Sequence, residues 1–95
     1  MARRKLTPGE IEENLTGLRD WTVANEKLAR KFTFANFAES LAFINRVGAI
    51  SDAADHHPDI LFGWGYAEIF ITTHDAGGIT DRDFALAKKI DAINT

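Results

Sequence analysis

Cysteine does not occur in the 95-residue chain, which excludes a disulfide scaffold, a thiolate metal site and a cysteine nucleophile. No apolar run approaches the roughly 20 residues that a membrane-spanning helix needs. The first residues also lack the apolar stretch that is typical of a signal peptide. We therefore expect a cytoplasmic protein that makes no contact with a membrane.

Positive charge is also scarce, since the net charge is −3 and offers no general attraction for nucleic acid. The one basic cluster, Arg3-Arg4-Lys5, lies near a chain end, where a solvated tail is the common outcome. Hydrophobic residues make up 45% of the chain and charged residues 26%, a globular composition. The sequence predicts one domain over residues 1–95, with a core small enough for subunit association to supplement it.

Capping signals and helical periodicity predict three helices. The segment Thr7-Pro8-Gly9-Glu10 begins the first, over residues 8–18. Asn36 precedes a long helix that runs to about Asp55. A capping box over Thr80–Asp83 begins the last helix.

Four further segments have the residue types and flanking turns of strands paired in two hairpins. They are residues 21–23, 28–34, 60–62 and 67–73. Because hairpins imply antiparallel pairing, the predicted fold class is α+β in the order α-β-β-α-β-β-α. We expect a four-stranded antiparallel sheet with three helices packed on one face, which differs from a doubly wound nucleotide-binding fold.

The long helix carries more apolar surface than a small surface helix needs. Two adjacent stripes together cover about half of its circumference. They are Phe37, Leu41, Ile44 and Gly48, and beside them Phe43, Val47, Ile50 and Ala54. One stripe suffices to cover the sheet, and the sequence does not decide which. The other would be exposed in a monomer, so we expect an oligomer assembled through this helix.

All three histidines, His56, His57 and His74, occur within nineteen residues. The first two lie at the predicted end of the long helix and the third at the end of the last strand, positions where catalytic groups gather. Asp52 lies one helical turn before His56 on the same face, so we expect its carboxylate to orient that imidazole. Asp55 is the immediate neighbour of His56.

Other interpretations of the histidines were weighed against catalysis. In a structural interpretation His-His-Pro simply ends a helix, because a protonated histidine is favoured at the negative end of the dipole. A third histidine beside Thr72 and Thr73 favours a site instead. A metal centre is less well supported, since His56 and His57 diverge as neighbours and neither HExxH nor a comparable ligand spacing occurs.

Cofactor chemistry and covalent chemistry also lack their usual motifs. Neither serine lies on a GxSxG elbow, and no GxGxxG or P-loop motif is present. What is left is general acid–base catalysis by imidazoles near neutral pH, which requires neither a metal nor a cofactor.

These residues closely resemble the pterin-4a-carbinolamine dehydratases, also known as dimerisation cofactors of a hepatocyte transcription factor. The family pattern is an acidic or similar residue, His-His-Pro, an aromatic residue, a histidine or tryptophan, and an aspartate. In this chain Asp52 is followed after three residues by His56-His57-Pro58, after five by Trp64, after nine by His74 and after eight by Asp83. Every element and gap of the pattern is present. The likeness covers nearly the whole chain, although residues 60–65 differ from the vertebrate type.

The resemblance implies a 4a-hydroxytetrahydrobiopterin dehydratase, which removes water from 4a-hydroxytetrahydropterin to give the quinonoid dihydropterin. It implies recycling of the pterin used by an aromatic amino acid hydroxylase, and assembly into homodimers or tetramers. The expected catalytic residues are His56, His57 and His74. The expected supporting or pterin-lining residues are Asp52, Asp55, Asp83, Trp21, Thr72 and Thr73. For Trp21, packing in the hairpin core is the competing expectation.

A binding module is the alternative function. Some vertebrate members of the family stabilise the dimer of a transcription factor through a helical surface, so the resemblance gives a non-enzymatic dimerisation or regulatory role as the alternative expectation for this chain. The joint presence of three histidines favours the enzyme, because an adaptor has no need of them together.

Overall fold

The computed structural model describes residues 4–93, which form three α-helices, four β-strands and a short 3₁₀ turn. The helices are α1 (Pro8–Leu15), α2 (Phe37–Ala54) and α3 (Asp81–Ile93). The strands are β1 (Thr22–Ala24), β2 (Lys27–Thr33), β3 (Asp59–Gly63) and β4 (Tyr66–Ile71), and the 3₁₀ turn is His74–Ala76. The predicted α+β order is confirmed.

The strands form one antiparallel sheet in the order β1-β2-β4-β3, so β2 and β4 are central. Along β4 the side chains alternate, with Ala67, Ile69 and Ile71 fully buried. These residues pack with apolar residues of α2 and α3 in a core on one face of the sheet. The helices therefore lie on one side, as the alternation predicted. Within residues 4–93, none of the helices combines the length and apolarity needed to cross a bilayer.

The second apolar stripe of α2 faces the sheet. Phe43 and Val47 are buried, and so are Ser40 and Ser51 on the same side. The serine hydroxyls can be buried because each donates to the carbonyl one turn earlier; that of Ser51 lies 2.7 Å from the carbonyl oxygen of Val47. The first stripe is the more exposed one, since Phe37 and Leu41 are 46% and 40% exposed, although Ile44 packs partly against the core.

Several boundaries differ from prediction by one to three residues, and two of the differences have a clear local cause. Helix α1 ends at Leu15 rather than at residue 18, and the chain then turns so that Leu18 and Trp21 enter the core. The first hairpin turns through Asn25 and Glu26, both in the left-handed region with φ of 52° and 61°. Two such residues make the tight turn whose twist suits a hairpin, so β2 begins one residue earlier than the predicted turn allowed.

Ion pairs hold the segment that precedes α1. Arg4 binds both carboxylate oxygens of Glu10 at 2.8 Å, and Glu10 also closes a capping box with Thr7. The hydrogen bond from Arg4 is the largest cause that lowers the pKa of Glu10, to about 2. Lys5 likewise lowers the pKa of Glu26. Arg4 and Lys5 of the basic cluster are thus ion-paired, while Arg3 lies outside the described residues.

We predict that Arg4→Gln raises the pKa of Glu10 from about 2 toward its ordinary 4.5. Because that pKa is depressed by folding, the ionised Glu10 stabilises the fold above pH 4.5, and this contribution is lost as the pH falls toward 2. The side-chain carboxyl shift in an NMR titration measures the pKa directly. Lys5→Gln is the matched control, since it should raise the pKa of Glu26 and leave the pKa of Glu10 unchanged. Titration of Glu10 near 4.5 in the unsubstituted protein would contradict the prediction.

Candidate active site

A hollow of about 250 Å³ lies where the ends of α2 and β4 meet the start of α3. Its lining residues are Asp55, His56, His57, Thr72, Thr73, His74, Asp75 and Arg82. The antiparallel β3–β4 hairpin returns the chain to the end of α2, and this brings His74 to the other two histidines. The structure therefore gathers all three imidazoles in one hollow.

The end of α2 directs the two adjacent histidines differently. Asp55 adopts a left-handed conformation (φ 52°, ψ 41°) and ends the helix, and its backbone N–H bonds to the Asp52 carbonyl. Pro58 then disfavours a helical backbone at His57. As a result His56 turns inward and is only 9% exposed, whereas His57 lies on the surface.

His56 is held by a buried carboxylate. Its Nε2 lies 2.5 Å from Oδ1 of Asp83, which is completely buried. The other oxygen of Asp83 accepts the Thr73 hydroxyl at 2.9 Å and the Thr80 backbone N–H at 2.7 Å. A carboxylate only accepts hydrogen bonds, so we assign the proton to Nε2 of His56. In the neutral imidazole Nδ1 is then an acceptor.

Two buried threonines extend this arrangement. The hydroxyls of Thr73 and Thr80 lie 2.8 Å apart. Because Thr73 donates its proton to Asp83, Thr80 must be the donor between them, and the Thr80 oxygen accepts from the backbone N–H of Arg82 at 3.2 Å. The hydroxyl protons of Thr73 and Thr80 thus each have one defined acceptor. These hydrogen bonds fix the start of α3 against the end of β4.

Asp52 does not orient His56, so that prediction is wrong. Its Oδ1 lies 2.8 Å from Nε2 of His57, in a pair whose side chains are 82% and 57% exposed respectively. The expected one-turn spacing fails because the helix has ended and Asp55 reverses the backbone before His56. His74 is also exposed and lies in the 3₁₀ turn at the hollow.

Trp21 does not line the hollow, so the expectation that it contacts a pterin is wrong. It is 3% exposed and packs edge-on against Phe32 at 6.2 Å between ring centroids. Its indole N–H donates to Asp91 of α3 at 2.8 Å. The competing expectation of a core residue is confirmed.

Arg82 is a lining residue that the sequence analysis missed. Its Nη2 donates to the Asp55 carbonyl at 2.7 Å and so joins α3 to the end of α2. A signal was available, because a cation in the first turn of a helix opposes the helix dipole. An arginine at this position is therefore expected to bind a group outside the helix that offsets the unfavourable interaction with the dipole.

A larger hollow, about 460 Å³, lies between α1 and β1. Its walls are mainly aliphatic, with Leu6, Ile11 and Ile79 among them, and no histidine lines it. The three imidazoles therefore lie at the smaller, polar hollow.

Comparisons with known proteins point to one family in both sequence and structure. Residues 4–93 match the sequence profile of the family described as pterin 4 alpha carbinolamine dehydratase. A protein of Chloroflexus aurantiacus, provisionally named as such a dehydratase, is 44% identical over 89 residues, covering 94% of this chain and 96% of its own. A protein of Sulfurisphaera tokodaii with the same provisional name is 42% identical over 92 residues, covering 97% and 99%.

Solved structures share the fold. A Brucella melitensis protein described as a transcriptional coactivator/pterin dehydratase superposes with a TM-score of 0.92 at 28% identity, over 97% of this chain and 100% of its own. A pterin dehydratase-like protein identified as a RuBisCO assembly factor in the alpha-carboxysome gives a TM-score of 0.64 at 28% identity, over 77% and 84%.

We predict that Asp83→Asn lowers the free energy of unfolding by about 3 kcal/mol, because the new amide N–H₂ must oppose one of the donors that now face a buried carboxylate. Asp52→Asn is the matched control at the other aspartate–histidine pair. That pair is exposed, so its loss should cost less than about 1 kcal/mol. Urea unfolding followed by circular dichroism measures both values. Equal effects of the two substitutions would contradict the prediction.

Proposed function

Because the chain belongs to the pterin-4a-carbinolamine dehydratase family, we propose that it removes water from 4a-hydroxytetrahydropterin. The product would be the quinonoid dihydropterin, which links the enzyme functionally to an aromatic amino acid hydroxylase. The observation that most supports this proposal is the convergence of His56, His57 and His74 on one hollow.

The reaction needs an acid and a base close together. A proton must reach the C4a hydroxyl so that it leaves as water, and the N5 proton must be removed as the C4a–N5 double bond forms. Imidazole can do either near neutral pH, typically with a gain of about 10²–10⁴-fold for each positioned group. The hollow offers three such groups, two on the segment that follows α2 and one on the 3₁₀ turn after β4.

We assign the base to His56. Its Nε2 is engaged by Asp83, so Nδ1 is the nitrogen left to accept the N5 proton. The imidazolium that forms would be stabilised by the buried Asp83 carboxylate, as a carboxylate stabilises the histidine of a catalytic triad. Proton delivery to the hydroxyl then falls to His57 and His74, which are exposed at the same hollow.

The alternative function is a dimerisation or regulatory module. It is favoured by the names of the two solved relatives, one described as a transcriptional coactivator/pterin dehydratase and one as a RuBisCO assembly factor. It is also favoured by the outward apolar residues of α2, which are free to contact a partner in a single chain. Such a module would gain stability from the contact of His56 with Asp83, but it has no use for three imidazoles at one hollow. The enzyme accounts for both features and is the preferred proposal.

We predict that replacing any one of His56, His57 and His74 with alanine lowers the turnover of 4a-hydroxytetrahydropterin at least about tenfold. Stopped-flow absorbance measures substrate decay with and without protein. Lys31→Ala is the control, since Lys31 is exposed on β2 and does not line the hollow. Undiminished turnover in a folded triple His→Ala variant would refute the proposed chemistry.

The outward stripe of α2 supports self-association into a homodimer or tetramer. Phe37 and Leu41 are 46% and 40% exposed in the single chain, and nothing lies within 4 Å of the position that a Gly48 side chain would occupy. Close approach of a second helix is therefore possible along this face. Burying such side chains would gain about 25 cal/mol per Å² of apolar surface, a useful supplement for a small core.

We predict that Leu41→Glu converts the assembly to monomers, because a carboxylate would have to be buried at the helix contact. Arg46→Glu is the matched control, since it places a carboxylate on the same helix about 140° around its axis. Light scattering at micromolar concentration gives the molar mass of each. An unsubstituted protein that is already monomeric would refute the proposed assembly.

A further inference from the structure

A second hollow adjoins the histidine site on its α3 side. It measures about 170 Å³ and is lined by Ala54, His56, Arg82, Ala85, Leu86 and Lys89. His56 and Arg82 line both hollows, so the two meet at these residues. The first hollow alone, about 250 Å³, is smaller than the roughly 300 Å³ at which small-molecule sites usually begin. A ligand that fills the site has room to continue into the second.

The second hollow is positively charged. Arg82 and Lys89 line it, and no aspartate or glutamate does, whereas Asp55 and Asp75 line the first hollow. Within residues 4–93 no carboxylate forms an ion pair with either cation. Arg82 bonds to the Asp55 carbonyl through Nη2, and a guanidinium group has five N–H donors in all, so further donors remain for a ligand.

The shape of the hollow follows from the register of α3. Arg82 and Lys89 are seven residues apart, which places them on the same face two turns from each other. Ala85 lies between them on that face, and its methyl group leaves the space open. Two cations thus flank a gap on one helix.

The chemistry of a pterin ring connects this gap to the reacting atoms. Its side chain is attached at C6, and C6 is bonded to N5, the atom that must lose a proton. If His56 receives that proton, the side chain begins beside His56 and Arg82, the residues shared by both hollows. The substituent would therefore extend toward Lys89.

We propose that the second hollow binds an anionic group, a phosphate or a carboxylate, on the C6 side chain of the pterin substrate. This inference rests on the proposed function and narrows its substrate class. Arg82 would bind the anion with planar paired donors and Lys89 as a point charge. An uncharged side chain would occupy the same space without a negative charge to pair with either cation.

Equilibrium binding tests the proposal without requiring turnover. The probes are 6-hydroxymethylpterin, its phosphate monoester and 6-carboxypterin. Binding of each probe is measured in solution by the quenching of pterin fluorescence as the purified protein is added. At low salt we expect at least one of the anionic probes to bind about tenfold more tightly than the neutral one. The two anionic probes distinguish phosphate from carboxylate recognition. The preference should decrease as salt is added, because the hollow is open to screening.

Two substitutions locate the preference. Lys89→Gln and, separately, Ala85→Glu should each reduce the ratio of anionic to neutral affinity at least about fivefold. Lys88→Gln is the matched control, since it removes the same charge from the next residue, which does not line the hollow. The ratio should be preserved in that variant. Equal affinities for the three probes, or equal losses in Lys88→Gln and Lys89→Gln, would overturn the proposal.

Turnover separates this inference from the proposed function. Dehydration of neutral and anionic 4a-hydroxytetrahydropterins with equal kcat/KM would overturn the anion site and leave the dehydratase intact. A preference for anionic probes at this hollow with no dehydration of either substrate would overturn the dehydratase and support the anion site. Failure of all three probes to bind would overturn the anion site.

Discussion

The burial of the Asp83 carboxylate is the constraint on which the rest of the site depends. A charge that is fully removed from water is costly unless donors surround it, and here the donors come from three places: His56 after α2, Thr73 after β4 and the backbone of Thr80 before α3. All three must be in position together. The ends of elements that are distant in sequence are therefore fixed relative to one another, and the hollow that His56 lines is a consequence of that coupling.

The same constraint explains why two consecutive histidines have different properties. The left-handed turn at Asp55 and the proline after His57 separate them, so that His56 meets a buried carboxylate and His57 an exposed one. An exposed pair is screened by water and adjusts readily, whereas the buried pair has a fixed proton direction. This asymmetry is the physical basis for assigning proton acceptance to His56 and proton delivery to the surface groups.

The sequence was sufficient to predict the features that depend on residues close to one another along the chain. Asn36 caps α2, the strands alternate, and the spaced histidines meet as the family pattern implied. What it could not decide depends on three-dimensional neighbours. Both stripes of α2 are apolar, and the buried face also carries Ser40 and Ser51, whose hydroxyls bond to carbonyl groups at or within the helix. Asp52 was assigned to the wrong histidine because one residue, Asp55, leaves the helix. The role of Arg82 could not be predicted, because its partner, the Asp55 carbonyl, lies 27 residues earlier in the chain.

Helix α2 connects the proposed assembly to the site. Asp52 follows Leu41 by eleven residues, so the two point in nearly the same direction, about 20° apart, at opposite ends of the helix. A partner helix that pairs along this face would approach Asp52, which is 82% exposed in the single chain. Exclusion of water there would strengthen the bond between Asp52 and His57, because screening weakens as a pair is desolvated. His56 would be unaffected, since its carboxylate is already buried within its own chain. Self-association would thus act on the groups proposed to deliver the proton and leave the proposed base unchanged. The two proposed uses of α2, as an interface and as the support of a catalytic site, are therefore compatible in one small fold.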